Sequence, residues 1–266
     1  MLQFGRLCAG HLPVIFSILF FTNLGLTYVS AVLRHHVDPV FPYVSAAGDQ
    51  RPESCFFSLL LNLCSMLSIL IIYLRWALVD ALVRGSDTLL DRLNHGSFYV
   101  GTAGGLAMMT VANFQESALV TVHLTAAFIC FICGTFYMVF QGVLTLRMSP
   151  NYTNHRIATA RIILAALSCV ALVTAITFGT LASRTFHSFY PDLPTPRPWN
   201  RRYWQPGYDL HVVSAIAEWS MAVLHILFVL SYSRDFEKLR VLLQCDSLVA
   251  HLDHSPVWGS ADDLRF

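Results

Sequence analysis

The chain has 266 residues, 55% of them apolar and 12% charged, against about 25% charged in soluble domains, and its mean hydropathy is +0.56. Sixteen arginines, one lysine and sixteen acidic residues leave a net charge of +1. These figures exclude an ordinary soluble domain, and they exclude nucleic-acid binding as a main role because no excess of positive charge exists to meet phosphates.

In chain order, Arg6 precedes a first apolar stretch, Leu12 to Leu33. It is far longer than the core of about 7 to 15 residues in a secretory leader, so it reads as a retained span although Val29, Ser30 and Ala31 resemble a cleavage site. The segment from Arg34 to Ser54 carries Asp38-Pro39 and Phe41-Pro42 and reads as a stiff, non-helical cap. A second stretch runs from Cys55 to Leu74, its span continuing to about Trp76, followed by residues 96–115, 117–146, 162–183 and 211–233. A spanning helix needs about 20 apolar residues, and lipid accepts such runs only as helices whose backbone groups pair internally. The expected fold is all-α: a polytopic membrane protein built as a single bundle of six transmembrane helices over residues 1–240, with a flexible cytosolic tail over 241–266. One short turn around Glu116 makes the third and fourth spans a tight hairpin.

Arginine placement orients the bundle. With both termini inside, the inner segments hold Arg6, Arg75, Arg84, Arg92, Arg147, Arg156, Arg161, Arg234, Lys238, Arg240 and Arg265, against Arg34, Arg51, Arg184, Arg197, Arg201 and Arg202 outside. The excess favours cytosolic termini. The last outer loop, Arg184 to Asp209, then presents prolines and the aromatics Trp199, Tyr203 and Trp204 beside Arg197, Arg201 and Arg202, a composition suited to the headgroup layer and equally to a mobile linker.

Most cysteines lie within apolar stretches, so no disulfide framework is expected, and Cys130 and Cys133 read as packing residues because Phe131 and Ile132 supply no polar partner for redox or metal chemistry. Gly101 and Gly105 form G-x-x-x-G on the third span, read as close packing within one bundle rather than a dimer seam. Asn151-Tyr152-Thr153 is a glycosylation sequon on the cytosolic side of this topology. Phe236 to Leu239 matches an aromatic-x-x-aliphatic adaptor pattern, but helix exit beside the membrane accounts for it better. No nucleophile elbow, P-loop, metal motif or dinucleotide fingerprint occurs in the sequence, so no cofactor and no metal is expected.

Polar residues do gather at one depth. Asn62, His123 and Glu218 fall about 10, 9 and 10 Å from the outer ends of their spans at about 1.5 Å per residue, with Asn113 and Gln115 ending the third span on that side. An acid at such a depth faces protein or water, and it marks a functional candidate or a hydrogen-bonded packing element. His211, Ser214, Glu218 and His225 share one face of the sixth span. The candidate intramembrane cluster is therefore Asn62, Asn113, Gln115, His123, His211 and Glu218.

Several segments together resemble the damage-regulated autophagy modulator (DRAM) family of six-span proteins: residues 35–39 and 41–45 of the first outer segment, Pro52-Glu53-Ser54, Val111 to Gln115, His211 to Ala215 leading into Glu218-Trp219, and Arg234-Asp235-Phe236. The resemblance covers nearly the whole chain to about Leu239; the tail from about Val241 matches nothing, and the last loop is longer than the family pattern. It draws attention to His36, Asp38, Pro42, Tyr43 and Glu53 as an outer-loop motif. It implies a lysosomal or endosomal multi-pass protein that promotes autophagy, with no catalytic residue to carry over. It further implies contact with membrane lipids and with autophagy or lysosomal proteins through cytosolic loops and tail. The wider superfamily adds a plasma-membrane alternative and a lipid-handling one: lipid transport or asymmetry, phosphoinositide regulation, or anchor-lipid remodelling.

Overall fold

The computed structural model describes residues 2–40, 42–83, 87–194 and 202–245. Long helices dominate: α1 (His11–Leu33), a one-turn α2 (Val44–Ala47), α3 (Glu53–Val83), α4 (Thr88–Asn113), α5 (Val120–Arg147), α6 (His155–Phe189), α7 (Tyr208–Leu230) and a one-turn α8 (Ser233–Phe236). The uninterrupted apolar runs account for the helices, and local chemistry sets their ends. The Asp87 carboxylate accepts the backbone N–H of Leu89 at 2.8 Å to open α4, and the Asn154 side chain accepts that of Arg156 at 2.9 Å to open α6. Gly207, at φ +81°, opens α7 where a Cβ would lie 2.7 Å from the Ala182 carbonyl. At the end of α1, His36 N–H bonds Ala31 O and His35 N–H bonds Val32 O, with His35 itself at φ 60°. This is a Schellman ending with histidine where glycine is usual.

The long helices close a ring, α1 against α3, then α4, α5, α6, α7 and back to α1. Phe16, Ile71, Met138, Ile226 and Phe228 fill its interior, while Val170 and Val173 of α6 are each 64% exposed. Apolar side chains that point away from the protein on a bundle of this hydropathy face lipid. Cys55, Cys64, Cys130, Cys133 and Cys169 are free thiols.

Among the described residues, five segments are long and apolar enough to cross a membrane: α1, α3, α5, α6, and α7 together with α8. The expected sixth, α4, does not reach the same hydropathy, because Asp91, Arg92, Asn94 and four glycines replace aliphatic side chains along it. Its small residues serve neighbours instead. A Cβ on Gly101 would meet Tyr137 Cδ2 at 2.7 Å, and one on Gly105 would meet Ile69 Cγ1 at 2.6 Å. The glycine motif is thus spent on packing α4 against α3 and α5.

The all-helical expectation is corrected at the chain ends. Leu2–Cys8 (β1) and Arg240–Cys245 (β2) pair as an antiparallel ribbon, Leu2 opposite Cys245 and Cys8 opposite Arg240, with an irregularity between Phe4 and Leu7. The flexible tail expected from residue 241 therefore begins as a strand, and from residue 246 onward it lies outside the described residues, as do Phe41, Arg84, Arg197, Trp199, Arg201 and Arg265. The outer loop expected from Arg184 is still helix as far as Phe189.

Candidate functional site

The first outer segment is fastened at two points. Glu53, fully buried at the start of α3, accepts from Ser30 Oγ at 2.7 Å; His36 Nδ1 lies 3.0 Å from its other oxygen and Arg34 Nε 3.4 Å from the first. This ties the end of α1 to α3. The second point is α7. The Tyr43 hydroxyl donates to Ser214 Oγ at 2.9 Å, Trp219 Nε1 donates to the Pro42 carbonyl at 2.8 Å, and the backbone N–H of Val44 donates to Glu218 Oε1 at 3.1 Å. Between the two, Asp38 Oδ1 accepts the N–H of Val40 at 2.9 Å, a turn made by the short acidic side chain. The stiff cap is not wholly non-helical, since Val44–Ala47 winds one turn beside Glu218.

Beneath this cap lies a cavity of about 420 Å³ inside the ring. Its walls are mainly apolar, and its ionisable lining consists of Glu116, His123, Glu218 and His225, together with Tyr43, Tyr137 and the thiol of Cys130. His123 is buried; its Nδ1 lies 2.6 Å from the Phe114 carbonyl and its Nε2 has no partner. Of the six residues read from the sequence as one cluster, only His123 and Glu218 line this space. Asn62 and Asn113 form a reciprocal amide pair at 2.9–3.0 Å on the α3–α4 surface. Gln115 donates to Ser58 Oγ at 3.2 Å, and His211 packs edge-on to Tyr43, ring centroids 4.7 Å apart. Glu116 belongs to the cavity although its sequence position suggested only a turn. No local signal placed it there; at its neighbour Ser117 the backbone N–H donates to Asp49 Oδ1 at 2.8 Å, a contact from a distant loop.

At the opposite end of the ring is a charged network that the arginine count had assigned to loops. Arg75 and Arg161 lie inside α3 and α6, 3% and 0% exposed. Asp235 Oδ2 accepts from Arg75 Nη1 at 3.0 Å and from Arg161 Nη2 at 2.8 Å. Arg75 Nε also donates to Gln141 Oε1 at 3.0 Å, Arg161 Nε to Ser231 Oγ at 2.8 Å, and both guanidinium groups to Thr145 Oγ1. The Tyr232 ring lies 4.5 Å from the Arg161 guanidinium carbon and 5.2 Å from that of Arg75. The signal that could have found it is Gln141 and Thr145, polar and four residues apart on one face of an otherwise apolar span. Phe236 is fully buried and stacked on Tyr232, so the adaptor-like segment is packed into the bundle rather than presented.

The profile of the Frag1/DRAM/Sfk1/Cwh43P N-terminal domain matches residues 9–239. DNA damage-regulated autophagy modulator protein 2 of Rattus norvegicus is 35% identical over 236 residues, covering 88% of this chain and 86% of that protein. The chain belongs to the DRAM family. DNA damage-regulated autophagy modulator protein 1 of Homo sapiens is 31% identical over 221 residues, 83% of this chain and 88% of that protein, and Modulator of macroautophagy TMEM150B of Danio rerio is 28% identical over 164 residues, 61% and 68%. No solved structure matches the chain. In this DRAM-family chain the segments that carried the resemblance hold structural posts: His36 and Glu53 join α1 to α3, Pro42 and Tyr43 reach Trp219 and Ser214, and Asp235 joins the two buried arginines.

Proposed function

We propose that this protein is a non-enzymatic modulator of autophagy that acts from the lysosomal or endosomal membrane, crossing it six times with both termini in the cytosol. The observation that carries the reading is similarity across the whole helical ring, residues 9–239, to proteins named as autophagy modulators. Support for the sixth crossing comes from two facts. At about 1.5 Å per residue the 26 residues of α4 are long enough to cross. The pairing of β1 with β2 holds residues 2–8 and 240–245 on one side, which an odd number of crossings between them would forbid. Cytosolic partners would engage the α5–α6 turn and the C-terminal tail. The test is deletion of the gene followed by re-expression at native level, with turnover of the lipid-conjugated autophagosome marker measured with and without lysosomal inhibition. Reduced turnover on deletion and recovery on re-expression are expected; unchanged turnover refutes the reading.

A second reading, lipid handling, is favoured by one specific feature, the 420 Å³ cavity with mainly apolar walls under the outer cap. Ligand sites commonly have about 300–1,000 Å³ and a few polar groups set in an apolar lining.

A further inference from the structure

The cavity is open sideways. Helices α5 and α6 touch through Thr135 and Ser168, whose hydroxyls are 3.0 Å apart, and, further inward, where Gly142 faces Ile162 and Thr145 meets Arg161. Outward of Thr135 and Ser168, residues of both helices line the cavity, and three of them, Leu124, Phe128 and Ile176, are themselves 52%, 53% and 39% exposed. An apolar opening at that position admits a hydrocarbon chain from the surrounding bilayer without bringing it through water.

The polar end of the cavity selects what the chain carries. With Nδ1 of His123 donating to the Phe114 carbonyl, the neutral ring presents Nε2 as an acceptor, and that atom is buried without a partner. Two carboxyl groups, those of Glu116 and Glu218, line the same space, and no arginine or lysine is among the described lining residues. Acceptors and negative charge gathered without a cation repel a phosphate or carboxylate head and attract a donor-bearing cation.

We propose that this cavity binds a single-chain lipid with a protonated amine head, its chain entering between α5 and α6 and its head held by Glu218 and His123. The proposal rests on the lipid-handling reading and names its ligand class. The head would lie beside Val44, whose N–H already holds one Glu218 oxygen, so occupancy would bear directly on the outer cap.

The test uses the purified full chain in nanodiscs with three photoactivatable, clickable lipids of equal chain length: a sphingoid base, a fatty acid and a monoacylglycerol. The sphingoid base should label peptides of α5 and α6 saturably and at least roughly tenfold more than the fatty acid, the discrimination expected of one charge-assisted hydrogen bond. Glu218→Gln, which keeps shape, should remove that preference. Ala127→Phe, which puts a ring into the cavity, should remove labelling by all three while elution and melting stay those of the parent. Equal labelling by fatty acid and base, with both blocked by Ala127→Phe, overturns the amine selection and leaves lipid handling standing. Labelling of the cavity by none of the three, or labelling indifferent to Ala127→Phe, overturns both.

Discussion

Asp235→Ala tests whether the charged network at the inner end holds the bundle together. The substitution removes a carboxylate that is 15% exposed and bonded to two guanidinium groups exposed by 3% and 0%. Taking one partner from a buried pair costs about 3–5 kcal/mol, since the charge left behind has lost its water as well as its counterion. Here two charges are left, each keeping neutral partners in Thr145, Gln141 or Ser231 and the face of Tyr232. Those contacts, with a cation–π contribution of about 0.5–2 kcal/mol, keep the loss near the lower end of the range. At roughly 2–4 °C per kcal/mol for a chain of this size, melting should fall by about 6–15 °C, measured by intrinsic fluorescence in one detergent with monodispersity after heating as a second readout. Asp235→Asn retains an acceptor without charge and should lie between wild type and alanine. Joint replacement of Arg75 and Arg161 by Met and Asp235 by Leu removes charge and counter-charge together and should recover most of the loss. An Asp235→Ala protein that melts within about 2 °C of wild type would refute the reasoning, because the network would then contribute nothing beyond what water could supply.

Gly105→Leu should lower folded yield severalfold by driving its side chain into Ile69, and Ile69→Ala in the same chain should restore part of it; yield restored by no change at Ile69 would place the clash elsewhere. Asn151, exposed in the α5–α6 turn, should remain unglycosylated in cells while a sequon engineered near Thr195 is modified, and a glycan on native Asn151 would invert the orientation. His35→Gly should raise melting by a few degrees, a gain of up to about 1 kcal/mol, because glycine adopts the left-handed backbone at the end of α1 without the clash of a Cβ; a loss would mean that the His35 side chain contributes more than its backbone costs.

Hydropathy made most helices legible because a span must be apolar along its whole length, whatever its neighbours do. It blurred α4, where Gly101, Gly104 and Gly105 trade lipid contact for close packing, and it stopped short at Arg75 and Arg161, which lie within helices that outrun their apolar stretches. A guanidinium at the edge of an apolar run reads as a loop charge until its carboxylate is known, and Asp235 arrives 160 residues after Arg75. The terminal ribbon was equally hidden, since β1 and β2 satisfy each other's backbone from opposite ends of the chain and carry no strong local alternation.

Depth counting placed the polar residues at similar heights but could not say which way each turned. Asn62 and Asn113 share that height with Glu218, yet two amides each offer donor and acceptor and can satisfy one another at the helix surface. A carboxylate and an imidazole acceptor cannot do this, because neither supplies the hydrogen the other needs. Glu218 therefore draws a backbone N–H from Val44 of the outer cap, while His123 is left with a bare Nε2 inside the cavity. The Asn62–Asn113 pair closes on itself at the α3–α4 surface, whereas Glu218 and His123 line the cavity. That difference in donor count, rather than depth, separates the candidate site from its neighbours, and it makes a donor-bearing ligand the natural complement to the acceptors that remain.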